Sequence, residues 1–207
     1  MSTIKLYRHP LSGHAHRVQL FLSILGLEAE IIDVDLMQGE HKQAAFLEKN
    51  AFGQVPVLED GDLTIADSNA ILVYLASQYD QKHTWLSIEP AKAAAVQRFL
   101  SVAAGPVVNG PGIARLINVF EAKLDHKKAI ETAHNLFKVL DKHLAEQYWL
   151  AGDVPTIADL ANYTYIAHAP EGDVSLKEYT HIKSWLQRIE HLTGFVPMQT
   201  SKVGLVT

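Results

Sequence analysis

Cysteine is absent from all 207 residues. That excludes disulfides, thiolate zinc sites, a paired-cysteine redox centre and a cysteine nucleophile. Any thiol chemistry here must use sulfur supplied by another molecule. Positive charge is not in excess either: 18 Lys and Arg stand against 23 Asp and Glu, a formal net charge of -5. A basic stripe for a nucleic-acid backbone is therefore missing, and neither DNA nor RNA is an expected partner. Long apolar runs are lacking as well. The most apolar stretch, Val18 to Leu27, is interrupted by Gln19, Ser23 and Gly26, well short of the ~20 residues needed to cross a bilayer. The start of the chain, with Arg8 and His9 close behind Ile4 and Leu6, has no basic segment followed by an apolar one. These features predict a cytoplasmic protein without a membrane partner. What is present, 48% hydrophobic residues at a mean hydropathy of +0.02, suits a globular chain with a real core.

The first 80 residues alternate between strand and helix patterns. Thr3 to Arg8 alternates and stops at His9-Pro10, as a strand does before proline. Val18, Phe21, Leu22 and Leu25 recur at helical spacing, with Gly26 at the C-terminal cap position. Residues 30–34 read as a strand and residues 40–49 as a polar helix with only Phe46 and Leu47 to bury. Val55 to Leu58, Asp60-Gly61 and Leu63 to Ile65 spell a hairpin, and Asp67-Ser68 opens a helix carrying Ile71, Leu72, Leu75 and Tyr79. Beyond a polar connector the patterns are helical throughout. Ala133, Leu136, Phe137, Leu140 and Leu144 form one stripe, and Ile182, Trp185, Leu186 and Ile189 another. Thr156 and Asp159 have capping-box spacing, and the glycines and prolines of 105–112 predict a break or kink. The expected architecture is an α/β unit over residues 1–79, a linker at 80–88 and an all-helical unit over 89–207.

Four local features bear chemistry, each with a purely structural alternative. Ser12 is placed to cap the following helix; a hydroxyl at a helix N-terminus also steadies an anion such as a thiolate. The Val55–Pro56 bond is an ordinary trans strand start or a cis turn that presents backbone to an extended ligand. Asp67-Ser68 is a helix cap, or an acid and a hydroxyl that hold the ammonium and carboxylate of a zwitterion. His41-Lys42 is a solvated basic pair or a clamp for a second carboxylate. Tyr7, at a strand end, is a further hydroxyl. His9, His14 and His16 lack metal-ligand spacing and a completing carboxylate, so no metal is expected, and no G-x-S-x-G elbow supports a serine hydrolase.

These features occur in one order. His9-Pro10-Leu11-Ser12 with Arg17-Val18, Gly39-Glu40-His41-Lys42, Phe52 to Gly61 with Gln54-Val55-Pro56, Asp67 to Ile71, and Thr156 to Leu160 together resemble the glutathione S-transferase family, most closely its phi-class and related bacterial members. The resemblance implies a thioredoxin-like N-terminal domain, a helical-bundle C-terminal domain and glutathione as co-substrate. It further implies that Ser12 hydrogen-bonds the glutathione sulfur, that His41 and Lys42 hold the glycyl carboxylate, that Gln54 and the Val55 backbone pair with the cysteinyl part before a cis Pro56, and that Asp67 and Ser68 hold the γ-glutamyl group. Leu11, His14, Val108, Asn109 and Ile113 are expected to line the acceptor pocket, and Phe52 to insert into the partner of a homodimer.

The implied activity is conjugation of the glutathione thiolate to small hydrophobic electrophiles. The alternatives are glutathione-dependent peroxide reduction or a non-catalytic dimerisation module with the same fold. Without a cysteine, disulfide exchange through an enzyme-bound mixed disulfide is disfavoured. Three departures from the family pattern stand out. Ala51 sits where proline is common, which predicts a less rigid loop under Phe52; Asp67 replaces the commoner glutamate; and the glycine- and proline-rich 105–112 falls where a substrate-lining helix is expected.

Overall fold

In the computed structural model, which describes residues 3–205, β1 (Ile4–Arg8), α1 (Gly13–Ile24) and β2 (Ala29–Asp33) form a parallel βαβ unit, with Ile4 opposite Ala29 and Arg8 opposite Asp33. Parallel neighbours require a crossover, which α1 supplies. α1 ends as its sequence predicts: Gly26 at φ +67 turns the chain, its N–H donating to the Ser23 carbonyl and that of Leu27 to the Leu22 carbonyl. The hairpin of β3 (Val57–Asp60) and β4 (Leu63–Ala66) lies antiparallel against β1, giving the strand order β2-β1-β3-β4. Leu6 and Leu58 on the inner strands pack with Val18 and Phe21 of α1 and with Ile71, Leu72 and Leu75 of α3 (Ser68–Tyr79).

The helix expected over 40–49 is instead a 3-10 turn, Glu40–Lys42, and a four-residue α2, Ala44–Leu47, separated by the extended Gln43. Phe46 is the single buried side chain of the two pieces. With one anchor there is too little packing to hold a continuous helix.

The second half contains α4 (Pro90–Val102), α5 (Ile113–Phe120), α6 (His126–Glu146), α7 (Ile157–Ala167) and α8 (Thr180–Glu190). Of the break or kink expected at 105–112, a break does not occur. Ala103–Gly112 continues as π-helical turns that join α4 to α5, with Pro106 and Pro111 inside. Wider turns change which carbonyl each N–H must reach, so a proline that lacks the N–H and crowds the preceding turn is accommodated. Gly110 serves packing. A Cβ on Gly110 would stand 2.8 Å from the Ala133 nitrogen, so only glycine lets α6 lie directly on this segment.

Thr156 and Asp159 form the expected capping box. Asp159, fully buried, accepts from the backbone N–H of Thr156 and Leu150 and from the Trp185 indole, tying α7 to α8 and to the loop before it. The two halves share one core. His16 of α1 lies 2.9 Å from the Thr164 hydroxyl of α7 and 2.9 Å from the Val196 carbonyl. In the connector, Trp85 packs its ring on Phe21, and its carbonyl accepts from Ile157 N–H. Among the described residues no helix is long and apolar enough to cross a membrane.

Candidate active site

A cavity of about 930 Å³ opens between the starts of α1 and α3 on one side and the π-helical segment, α5 and α7 on the other. Ser12, His41, Lys42, Gln54, Val55, Pro56, Asp67 and Ser68 all line it. Residues spread over nearly 60 positions of sequence are thus brought to one surface.

Ser12 is both a cap and a cavity group. Its Oγ accepts from the Ala15 N–H at 3.2 Å while its backbone carbonyl accepts from His16. A hydroxyl has one proton to donate in addition to its lone pairs, and that proton has no acceptor among the described residues. The structural and chemical readings of Ser12 are therefore compatible. Tyr7 is not part of the cavity wall: its hydroxyl donates to Glu59 at 3.0 Å, and over its ring lies the Nζ of Lys49, which does line the cavity.

At one end, the His41 Nδ1 is buried with no hydrogen-bond partner among the described residues. Lys42 Nζ donates to the carbonyls of Phe52 and Gly53 at 3.3 and 3.1 Å. The loop between them is held by a residue that the sequence did not single out. Asn50, 6% exposed, donates to the Gln54 carbonyl and accepts from Phe52 N–H, and its own carbonyl accepts from Gly53 N–H. The flexibility expected from Ala51 is thus offset by the neighbouring asparagine. Val55–Pro56 is cis. Phe52 projects outward, 80% exposed.

At the other end, Asp67 adopts φ +74, a left-handed conformation that is costly for a non-glycine residue. One carboxylate oxygen caps α3 through the N–H groups of Asn69 and Ala70; the other is unpartnered among the described residues. Ser68 is buried, its Oγ 3.3 Å from Arg17 Nη1 and 3.2 Å from His14 Nδ1. Burial, with the Arg17 charge adding to it, pushes the His14 imidazole down to about 3. His14 is therefore neutral at physiological pH. Burial likewise lowers Arg17 to about 10, against the pull of Tyr165 and Asp67; it remains a cation.

The acceptor side is lined by Leu11, His14, Val108, Ile113, Phe120 and Tyr165. Asn109, expected among them, is a correction: it is exposed and lies off the cavity wall. Val108 lines the cavity, while its neighbour Asn109 is turned to solvent. Besides Asn50 and Phe120, sequence reasoning missed Tyr165 and Arg115. Tyr165 stands against Gly13, where a Cβ would meet its ring at 2.7 Å, and edge-on to His14. Burial raises its phenol, while Arg17, Arg115 and the amides of His14 and Gly13 oppose that. Arg115, 2% exposed, pairs with Glu171 at 2.7 Å. A lone arginine in the apolar run Ile113 to Phe120 was the available signal. No cluster of three or more metal-binding side chains occurs among the described residues.

Comparison with known proteins agrees with this geometry. The family model for the glutathione S-transferase N-terminal domain matches residues 2–77, and that for its C-terminal domain residues 106–192. Glutathione S-transferase 3 of Zea mays is 35% identical, the match covering 94% of this chain and 92% of the relative. Glutathione S-transferase F10 of Arabidopsis thaliana is 33% identical, over 87% and 89%. A crystal structure of glutathione S-transferase from Pseudomonas fluorescens superposes with a TM-score of 0.90 at 31% identity, covering 96% of this chain and all of that one. A Drosophila mojavensis glutathione transferase homologue with bound glutathione superposes at 0.84 and 29% identity, over 93% and 89%. With both of its halves matched, and relatives similar along nearly its whole length, the chain is a transferase belonging to the glutathione S-transferase family.

Proposed function

We propose that this transferase conjugates glutathione to small hydrophobic electrophiles, with Ser12 as the group that stabilises the glutathione thiolate. The observation that carries the reading is the uncommitted Ser12 proton in the wall of a cavity that His41 and Lys42 and, with Asp67, a helix cap also line. Glutathione has two carboxylates and one ammonium. His41 and Lys42 suit the glycyl carboxylate, Gln54 and the Val55 backbone the cysteinyl part, and Asp67 with Ser68 the γ-glutamyl ammonium and carboxylate. The glutathione-binding unit is assigned to residues 1–79, joined through 80–88 to the helical unit 89–207. The working form is a cytoplasmic homodimer, and the exposed Phe52 supports a contact with the second subunit.

A cysteine thiol has a pKa of about 8.5, so a few per cent is ionised at neutral pH. A hydrogen bond to a charged acceptor contributes about 1.5–3 kcal/mol, and one pKa unit corresponds to about 1.36 kcal/mol. Ser12 therefore lowers the bound thiol by about one to two units, and a large share becomes thiolate at pH 7. Ser12 forms no covalent bond. The thiol proton passes to solvent, the sulfur electron pair forms a carbon–sulfur bond, and the leaving group departs with the pair of the bond that breaks. Holding sulfur and electrophile together supplies the rest of the acceleration.

The test is turnover of chlorodinitrobenzene by the wild type and Ser12→Ala across pH, with retention on immobilised glutathione. The variant is expected to be retained, to lose about 10- to 100-fold in turnover, and to show a pH–rate profile displaced to higher pH. An undisplaced profile would remove Ser12 from the role.

A further inference from the structure

Ser12 is the last residue before α1, and two hydrogen bonds fix the peptide group that leads into it. Its N–H donates to the His9 carbonyl at 2.9 Å. On the other side of the same planar group, the Leu11 carbonyl accepts from Arg115 Nη1 at 2.8 Å, a contact between residues 104 positions apart. The arginine is itself held. Its Nε donates to Glu171 Oε2 at 2.7 Å, and Glu171 also accepts from His168 at 2.6 Å and from both the hydroxyl and the backbone N–H of Ser201. Burial would raise the Glu171 carboxyl, but His168, Ser201 and Arg115 outweigh it and bring it down to about 2, so it is an anion throughout the working range. Ser201 belongs to a terminal stretch laid across this corner, where the Leu205 N–H reaches the Pro170 carbonyl. Gly172 fits so closely that a Cβ would stand 2.5 Å from the Arg115 backbone nitrogen.

We propose that Arg115 is a positioning residue for Ser12: anchored by Glu171 and the terminal stretch, it holds the Leu11–Ser12 peptide so that the serine hydroxyl meets the sulfur of bound glutathione. The proposal rests on the Ser12 reading above. The guanidinium suits the task because it addresses two acceptors in different directions from one rigid fork, which an ammonium on a flexible stem does not. A hydrogen bond weakens steeply as its angle departs from linear. An error of about 1 Å in a positioned group costs up to about 10²-fold in rate. Through this link the helical half of the molecule helps to set the reactivity of a thiol bound mainly by the other half.

A buried ion pair serving stability alone would leave the thiol untouched, so the readout is the pKa of glutathione bound to the folded enzyme, followed by thiolate absorbance and by the pH dependence of kcat/KM. Arg115→Lys is expected to raise that pKa by about half a unit to one unit and to lower kcat/KM below pH 7 about three- to tenfold, with KM for glutathione within about twofold. Ser201→Ala, which removes one hydroxyl from Glu171 and leaves the packing in place, is expected to shift it in the same direction by about 0.3 unit, and is decisive if the lysine variant does not fold. Ser12→Ala is measured alongside. If Ser12→Ala raises the thiol pKa while folded Arg115→Lys keeps the wild-type value, or Ser201→Ala does so where the lysine variant does not fold, the positioning role is overturned and the Ser12 reading stands. If Ser12→Ala also leaves the pKa unchanged, the Ser12 reading fails first and takes the positioning role with it.

Discussion

Acidification should destabilise this protein well before its carboxylates protonate, because of His16. The imidazole is 3% exposed. Its Nε2 faces the Val196 carbonyl, which can only accept, so Nε2 carries the proton and Nδ1 accepts from the Thr164 hydroxyl. Burial, opposed by the Val196 bond, lowers its pKa from 6.5 to about 4. The sign follows from linkage. Below pH 6.5 the unfolded chain takes up a proton that the folded chain refuses, so stability falls as pH falls, until the folded state protonates near pH 4. At 1.36 kcal/mol per unit, the loss from this residue is about 2 kcal/mol at pH 5 and about 3 kcal/mol once pH is below 4. His14, lowered to about 3 by burial, adds a loss of the same sign. Urea unfolding at intervals from pH 7.5 to 4.5 measures it. His16→Gln should be less stable than the wild type at pH 7, for want of the histidine's two buried bonds, yet have a shallower pH dependence by up to about 1.4 kcal/mol per unit below pH 6. Equal slopes for variant and wild type would refute the reasoning.

Other consequences follow from the same contacts. Asp67→Ala should raise KM for glutathione with little change in kcat at saturation, since the proposed role of the carboxylate is at the γ-glutamyl end, away from the sulfur; steady-state kinetics checks this, and a pure kcat loss would contradict the clamp. Gly53→Ala should destabilise the protein by at least about 1 kcal/mol and raise KM for glutathione. The residue has φ +57, and a Cβ there would lie 2.6 Å from the His41 carbonyl and 2.9 Å from Lys42 Nζ; melting and kinetics read the two effects. Asp159→Ala should cost 3 kcal/mol or more, estimated at about 1–3 kcal/mol for each buried donor left unpaired, or abolish folding; thermal unfolding decides. Phe52→Ala should weaken self-association, measured by sedimentation, while leaving the monomer fold intact, because the ring is 80% exposed.

What could be read from the sequence was what local chemistry decides. Ser12, Asp67 and Thr156 announce helix starts because a cap acts within three residues of itself, and Gly26 and Asp60-Gly61 announce a stop and a turn for the same reason. Ser12 and Asp67 were legible as candidate site residues too, and both line the cavity, since the groups that cap a helix also present polar atoms at its mouth. What escaped depends on distant packing. The 105–112 segment stays helical with α6 lying against Gly110, a contact that no local pattern records. The continuous helix over 40–49 failed because its apolar content is one anchored phenylalanine. Arg115 and Tyr165 join the cavity only once α5 and α7 pack against the start of α1, and Glu171 meets Arg115 from the turn that follows α7.

The central claim is that the cavity binds glutathione with its sulfur ionised by the Ser12 hydroxyl. The most direct measurement is a titration of thiolate absorbance for glutathione bound to the wild-type enzyme, compared with free glutathione. The account predicts an apparent pKa one to two units, roughly, below the free value. Binding with an unshifted pKa, or no binding at millimolar glutathione, would contradict it.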